Sequence, residues 1–321
     1  MTLLTNVRIH AIGSYLPTHR AANADLLPRF SIDEEFLRTK LGIAARAIKD
    51  NSEETSDLCV KAFHDLQTRS GIALSEVQIC CVVTQNPDVS IPHTAAIVHQ
   101  KLGLPRSCMT FDLSQGCAGY VHGLALLTSV MASLDLRSAL LFTCDPYSKI
   151  INPADKNTAL IFGDGATVTH LACNLPGYAL VDANFGTEPG SAECLIANGP
   201  ANEGAVRPTL QMNGTAVLMH ATRAVPASIS ALLAKSGRKL DDVDLFLLHP
   251  GSKRVVDLIK KSLKLPDTKV PFEIESYGNT VSSSIPLMLQ QPVLEKQHAR
   301  LVLSGFGVGF SWGSCLIELH N

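Results

Sequence analysis

The chain reads Ser114-Gln115-Gly116-Cys117-Ala118-Gly119-Tyr120 at the point where a short apolar run meets a longer one. The run before it, residues 108–113, is typical of a buried strand, and the run after it, residues 121–131, is typical of an apolar helix. The turn therefore places Cys117 at the N-terminus of a buried helix, where free N–H groups and the helix dipole favour a thiolate. The alternative is that Cys117 is one inert core residue among nine cysteines.

Strands and helices alternate along the first half of the chain. We predict strands at residues 7–15, 77–84, 108–113, 138–144 and 158–162, and helices at residues 33–37, 52–69, 94–102 and 121–131. Several of these strands are apolar on both sides, which is typical of a largely parallel sheet that is covered by helices on both faces. The sequence therefore predicts an α/β fold.

The second half of the chain repeats patterns of the first. Residues 70–77 and residues 236–243 have similar patterns, each with a helix before it and an apolar strand after it. The late strands at 139–142 and 300–303 match in the same order. We therefore expect two duplicated α/β halves, residues 1–174 with the cysteine and residues 175–321, joined in an irregular region that extends to about residue 209.

Composition excludes several classes of protein. Hydrophobic residues make up 46% of the chain and charged residues 17%, which suits an enzyme with buried sheets. A net charge of −2 without a basic block gives no sign of nucleic-acid binding. We expect no membrane span, no signal peptide and no metal site, and the scattered cysteines favour a reducing cytoplasm.

Two polar residues in the second half complete a candidate site. His249 follows the apolar run 245–248, and ligands bind at the carboxyl ends of strands in α/β sheets. Asn279 follows Gly278 and precedes an apolar helix, which places its amide at a helix start. Taken singly, His249 is as readily a polar cap of a strand, and a Gly-Asn pair is most often a turn. The glycine-dense segment 305–313 brings backbone N–H groups close to a substrate oxygen.

Taken together, these segments resemble the thiolase-fold condensing enzymes, and most closely the ketoacyl-ACP synthase III group. The resemblance runs nearly end to end and rests on five motifs, which are residues 11–17, the Gly-Cys-Ala-Gly turn, residues 161–166, the Tyr-Gly-Asn-Thr box at 277–280 and the Gly-Phe-Ser-Trp-Gly ending at 309–313. It implies a thiolase-like fold with αβαβα layers. It also implies that Cys117, His249 and Asn279 act together.

The resemblance assigns a role to each of these residues. Cys117 takes an acyl group as a thioester, and the N–H groups of Cys117 and Val308 hold the oxyanion. His249 and Asn279 donate hydrogen bonds to the thioester carbonyl of a malonyl-type substrate. Loss of CO₂ from that substrate leaves an enolate, which attacks the acyl carbon. The substrates are thioesters of coenzyme A or acyl carrier protein, and no bound cofactor is implied.

The chain departs from the family pattern around the substrate entrance. Phe36 and Lys40 stand where the family uses a tryptophan and an arginine to bind coenzyme A, and Ile91 replaces a phenylalanine that gates the acyl tunnel. Val308 replaces a glycine, and the stretch His249-Pro250-Gly251-Ser252 replaces His-Gln-Ala-Asn. Met219 replaces a lysine that docks the carrier protein, which leaves a basic patch formed by Lys253, Arg254, Lys260 and Lys261.

These departures favour a specialised fatty-acid or polyketide-type pathway, secondary metabolism included, over a housekeeping initiator. The leading hypothesis is decarboxylative Claisen condensation, and the alternative is acyl transfer from Cys117 to an oxygen or nitrogen nucleophile. A third hypothesis, a non-catalytic partner subunit, is disfavoured because such copies generally lose the cysteine. The family pattern also implies a homodimer that pairs through the edge strand at residues 109–113. A heterodimer with a related subunit is the alternative.

Overall fold

A computed structural model describes residues 6–198 and 209–320. The strands in this part of the chain are β1 Val7–Tyr15, β2 Arg20–Ala22, β3 Ala45–Ala47, β4 Ile79–Val83, β5 Met109–Leu113, β6 Ser138–Cys144, β7 Ala166–Cys173, β8 Gly177–Thr187, β9 Leu195–Asn198, β10 Thr209–Met212, β11 Leu245–Leu248, β12 Arg300–Gly307 and β13 Ser311–His320. The α-helices are α1 Leu27–Phe30, α2 Glu34–Phe36, α3 Thr55–Ser70, α4 Thr94–Leu102, α5 Gly119–Ser133, α6 Lys156–Ala159, α7 Gly214–Lys235, α8 Lys253–Leu263 and α9 Ser284–Glu295.

Nine of these strands form one sheet in the order β11-β12-β13-β8-β1-β7-β6-β4-β5. The predicted parallel pairing is present towards both ends, where β4 pairs with β5 and β6, and β11 pairs with β12. The pairings between them are antiparallel. β1 and β8 meet only at the pair Ile9 and Tyr178, so the sheet consists of two parts joined at its middle.

The three largest hydrophobic cores show how the helices cover this sheet. Helices α5 and α9 pack between the inner faces of both parts, with Leu124 and Leu289 in one core that also holds Val83 and Leu303. Helices α3 and α4 cover the outer face of the β4–β6 side, and α7 and α8 cover the outer face of the β11–β12 side. The layers therefore follow the order αβαβα, as the family resemblance implies.

The local repeat that the sequence suggests is visible in the structure. Helix α3 leads through the 3₁₀ turn Leu74–Glu76 into β4, and α7 leads through the 3₁₀ turn Leu240–Asp242 into β11. The two late strands also match, since β6 lies parallel to β4 as β12 lies parallel to β11. The boundary between residues 174 and 175 stays a prediction.

Two predictions about individual elements are wrong. Residues 158–162 do not form a strand, because α6 takes their start and only Phe162 makes an isolated bridge, to Asn279. The region after residue 174 is not irregular throughout, since β8 is an 11-residue strand that pairs along β13. Its polar and glycine positions hide it from a search for apolar runs. Part of the predicted join, residues 199–208, lies outside the described residues.

Helix α7 is the exception to the expectation that no segment reaches membrane-spanning length. Its 22 residues are long and apolar enough to cross a membrane by length and composition alone. One face of α7, with Val225, Ile229 and Leu232, packs in the core above β11 and β12. A helix that packs in a protein core can meet the same criterion of length and composition.

Candidate active site

Cys117 lies in the turn between β5 and α5, two residues before the helix begins, and only 4% of it is exposed. The backbone of β12 packs directly on this turn. A Cβ atom at Gly305 would lie 2.7 Å from the Cys117 carbonyl oxygen, and one at Gly307 would lie 3.0 Å from the Cys117 Sγ. Both positions therefore require glycine, which explains part of the glycine-dense segment near the end of the chain.

His249 follows β11, as predicted, and its side chain is buried. Its backbone N–H donates to the Ser304 carbonyl over 2.8 Å, which extends the parallel pairing of β11 with β12 by one residue. The imidazole meets the ring of Phe306 edge to face, with centroids 5.5 Å apart. The histidine is thus held by strand pairing on one side and by an aromatic ring on the other.

Asn279 is anchored through its backbone and its side-chain oxygen. Its N–H donates to the Ile161 carbonyl over 2.9 Å, and its carbonyl accepts from the Gly163 N–H over 3.0 Å. The side-chain Oδ1 accepts from the Val281 N–H over 2.8 Å and from the Ser284 hydroxyl over 3.3 Å. With Oδ1 occupied, the amide Nδ2 is the group left to face the pocket.

Val281 adopts a backbone conformation that β-branched residues rarely adopt, with φ at 56°. Such a conformation costs on the order of 1–3 kcal/mol and is found mostly at functional sites. Here it turns the Val281 N–H onto the Asn279 side chain. This unusual backbone conformation of Val281 therefore helps to hold the Asn279 amide in its orientation.

The three side chains line one cavity, whose walls also include Phe162, Leu195, Met212 and Phe306. Asn279 Nδ2 lies 3.3 Å from His249 Nε2. The other imidazole nitrogen, Nδ1, is buried and has no hydrogen-bond partner among the described residues. A buried N–H without a partner is costlier than a bare nitrogen, so the proton is better placed on Nε2. With the proton on Nε2, both nitrogens can donate to one substrate oxygen in this cavity, in place of the contact that joins them here.

Burial shifts both titratable groups of the pocket towards their neutral forms. Burial raises the pKa of the Cys117 thiol well above its ordinary value, and the negative charge of Asp145 adds to this, while the Cys117 N–H opposes it. Burial lowers the pKa of His249 to about 3. The expectation of a thiolate is therefore wrong, because desolvation of the thiol outweighs the effect of the helix terminus.

Comparison with known proteins gives the family. The model for 3-oxoacyl-[acyl-carrier-protein] synthase III matches residues 111–189, and the model for the C-terminal part of the same enzymes matches residues 233–319. The β-ketoacyl-[acyl-carrier-protein] synthase III of Ehrlichia canis is 31% identical over 315 residues, which are 97% of this chain and 98% of that protein. The Neisseria meningitidis enzyme of the same name is 31% identical over 322 residues, with the same coverage. The chain belongs to the β-ketoacyl-[acyl-carrier-protein] synthase III family.

Solved structures agree with this assignment. A 3-oxoacyl-(acyl-carrier-protein) synthase III superposes with a TM-score of 0.89 at 31% identity and covers 97% of this chain and 99% of that one. The Thermus thermophilus enzyme gives 0.87 at 30% identity, with 97% and 98% covered. The fold is therefore that of the thiolase-like condensing enzymes, and the protein is an acyltransferase of the ketosynthase class.

Four residues named for carrier binding lie around one surface of this synthase III fold. Phe36 is half-buried, with the Lys156 ammonium 5.1 Å from its ring centroid, and Lys40 is exposed on the π-helical turn Leu37–Leu41 that follows α2. Ser252 lines the cavity and caps α8, with its hydroxyl accepting from the Val255 N–H. Lys253 starts α8 and lies over the ring of Phe272.

Some of the basic residues at the surface are less available for binding a carrier protein than the sequence suggests. Lys260 pairs with Asp257 at 2.9 Å and with Asp267 at 2.7 Å, so its charge is largely compensated. Arg254 and Lys261 are exposed on α8, and Met219 is exposed on α7. A basic patch therefore remains around Arg254 and Lys261, and its role in carrier docking stays a prediction.

Of the two remaining predicted positions, Val308 lies beside the Cys117 turn and Ile91 does not line the pocket. Val308 packs against Gly116, since a Cβ there would lie 3.0 Å from the Val308 Cγ2. It is thus next to the Cys117 turn, as an oxyanion contact requires. Ile91 is 87% exposed and does not line the pocket of its own chain. If Ile91 gates an acyl tunnel, that tunnel belongs to a partner chain, and this role stays a prediction.

Sequence analysis missed the polar residues behind Cys117. Asp145 is fully buried, and its oxygens accept from the Gln85 N–H over 2.7 Å and from the Ser282 hydroxyl over 2.6 Å. Burial raises the pKa of Asp145 to about 6. The sequence does contain a sign of these residues. Asp145 directly follows the apolar strand β6, as His249 follows β11, and Tyr147 lies two residues further on. Among the described residues, no group of three His, Cys, Asp or Glu side chains is placed to hold a metal ion.

Proposed function

We propose that Cys117 accepts an acyl group and that His249 and Asn279 generate the carbon nucleophile that attacks it. In the first step the Cys117 sulfur attacks an acyl thioester, and the departing thiol leaves with the proton that Cys117 loses. In the second, a malonyl-type thioester loses CO₂, and its enolate attacks the Cys117 acyl carbon. The Cys117 sulfur then leaves as a thiolate, which takes up a proton from solvent, as the new 3-oxoacyl thioester forms. The N–H groups of Cys117 and Val308 stabilise the tetrahedral oxyanion.

The observation that carries this proposal is that Asn279 Nδ2 and His249 Nε2 lie 3.3 Å apart in one cavity. Charge develops on the thioester oxygen of the malonyl group as CO₂ leaves. Two fixed donors that converge on that oxygen stabilise the enolate more than the starting thioester, which lowers the barrier. Each donor is braced, Asn279 through Oδ1 and His249 through β12, so little reorganisation is needed.

The low pKa of His249 argues against simple acyl transfer to an alcohol or amine. That reaction requires a general base for the incoming nucleophile, and a base is most effective when its pKa lies near the working pH. A histidine whose burial lowers its pKa to about 3 is a poor base and a good neutral donor. The environment of His249 therefore supports carbon–carbon bond formation.

The substrates that we propose follow from the relatives and from the pocket. The relatives are named for acyl carrier protein, and we propose that this chain uses thioesters of acyl carrier protein, coenzyme A or both. It would act in the cytoplasm as a homodimer, without a bound cofactor, in a specialised fatty-acid or polyketide-type pathway. Because each methylene buried in an apolar tunnel contributes roughly 0.8 kcal/mol, acyl groups longer than acetyl should react faster.

The proposal is tested by mapping the acyl adduct. Wild type, Cys117→Ala and Cys315→Ala are incubated with thioesters that range from acetyl to octanoyl, and the adducts are located by peptide mass. We expect one adduct, on Cys117, in wild type and Cys315→Ala and none in Cys117→Ala. Cys315 is an equally buried free cysteine in β13, which makes it a matched control. An adduct that persists in Cys117→Ala would overturn the assignment.

A further inference from the structure

A second cavity lies behind the nucleophile and shares Leu195 with the first. Its walls combine apolar side chains, among them Ile150 and Leu210, with the polar side chains of Gln85, Ser114 and Tyr147. Cys117 packs in one hydrophobic cluster with Tyr147 and Leu195. An acyl group on Cys117 therefore has this second cavity within reach, while the first cavity holds the His249–Asn279 pair.

The polar groups in this wall are held rigidly. The Tyr147 hydroxyl donates to Gln85 Oε1 over 3.2 Å, and the Tyr147 ring packs on Phe162 with centroids 4.9 Å apart. The Gln85 backbone N–H donates to Asp145, which is fully buried. The Gln85 amide also lies against the Cys117 turn, since a Cβ at Gly116 would be 2.8 Å from Gln85 Oε1.

The Gln85–Tyr147 pair has more donor hydrogens than it uses. The pair offers three, two on Gln85 Nε2 and one on the Tyr147 hydroxyl, and the contact between the two side chains uses one. Among the described residues, Gln85 Nε2 has no hydrogen-bond partner. Exchanging the oxygen and nitrogen of the Gln85 amide would free the Tyr147 hydroxyl instead, so a spare donor is present in both orientations.

We propose that the acyl group that Cys117 accepts carries an oxygen substituent, a hydroxyl or a keto group near its thioester end, which the Gln85–Tyr147 pair binds. This inference rests on the proposed function and names its substrate class. A hydroxyl fits best, because it accepts from Gln85 Nε2 and can donate to the Tyr147 oxygen. A purely apolar acyl group leaves the spare donor without a partner once it displaces water from the cavity, and that loss disfavours it.

The test compares two acyl groups of the same shape. N-acetylcysteamine thioesters of 3-hydroxybutanoate, both enantiomers, and of 3-methylbutanoate differ by a hydroxyl in place of a methyl. The rate of adduct formation on Cys117 is measured by quenched intact-protein mass. For wild type we expect one 3-hydroxybutanoyl enantiomer to react about fivefold faster than 3-methylbutanoyl, the usual effect of one net hydrogen bond.

Variants assign that preference to the pair. The rate ratio should fall in Tyr147→Phe and in Gln85→Leu, each of which keeps one donor of the pair, and it should fall to about one in the double variant. It should keep its wild-type value in Tyr178→Phe, which removes a buried hydroxyl that donates to the His298 carbonyl outside both cavities. Equal or faster reaction of 3-methylbutanoyl in wild type, or an unchanged ratio in both pair variants, would overturn the inference alone. No Cys117 adduct with any thioester would overturn the proposed function and the inference with it.

Discussion

Burial keeps Cys117 and His249 in their neutral forms, and this determines the chemical role of each side chain. Burial keeps the proton on the thiol and keeps the imidazole uncharged. A neutral imidazole with its proton on Nε2 is a hydrogen-bond donor of the kind that stabilises an enolate. The thiol loses its proton only as it attacks, so its reactivity depends on the charges near it.

Asp145 is the charged group that acts on the thiol, and replacing it should change the Cys117 pKa. The buried carboxylate disfavours the thiolate, so Asp145→Asn should lower the Cys117 pKa and speed alkylation by iodoacetamide, about tenfold at pH 8. Because the pKa of Asp145 is about 6, it is protonated at lower pH, and the difference from wild type should disappear below that value.

The control for Asp145→Asn is Asp182→Asn. Asp182 is also buried, but it pairs with Lys235 at 2.6 Å on the outer side of the second half. Its alkylation profile should follow that of wild type across the pH range. Identical pH–rate profiles for Asp145→Asn and wild type would show that Asp145 does not act on the thiol.

At the level of elements, regular patterns were predictable and irregular ones were not. Residues 7–15 and 94–102 coincide with β1 and α4, because their apolar positions follow the period of a strand and a helix. The run at 158–162 has the same composition as a strand, yet it has only one bridge, to Asn279. Strand β8 was missed because its polar and glycine positions interrupt the apolar pattern.

The same distinction holds for the site. Cys117, His249 and Asn279 could be proposed from sequence because each follows an apolar element or precedes one. The Gln85–Tyr147 contact could not, since it joins side chains 62 residues apart whose neighbours carry no motif. The shift of the Cys117 pKa also could not be foreseen, because it depends on how completely β12 covers the turn. Local sequence locates the functional groups, and tertiary packing sets their chemistry.

At the scale of the whole molecule, β5 is an edge strand of the sheet in the part of the chain that the structure describes. Met109 on this strand is 46% exposed, and Ile91 in the neighbouring loop is 87% exposed. An unpaired edge strand with apolar neighbours is a ready site for a second chain. We predict a homodimer through this edge, with twice the chain mass by light scattering at micromolar concentration.

A pair of charge substitutions tests the location of this interface. Ile91→Asp should shift the protein towards the monomer, since it buries an unpaired charge on association. Leu294→Asp, at a 58% exposed position on α9, should leave the mass unchanged. A wild-type monomer at micromolar concentration, or an unaffected dimer in Ile91→Asp, would contradict the prediction.

The central claim is that His249 and Asn279 act together on developing negative charge. It is tested most directly by CO₂ release from malonyl thioesters, measured beside Cys117 acylation in wild type, Asn279→Ala and His249→Ala. The control is Asn184→Ala, because Asn184 also holds a hydrogen bond, to the Ser228 carbonyl, outside the pocket. We expect both pocket variants to lose roughly 10²-fold or more of decarboxylation, with acylation of Asn279→Ala nearly intact and Asn184→Ala similar to wild type. No CO₂ from any malonyl thioester with wild type, together with transfer of the acyl group to an alcohol or amine, would contradict the account.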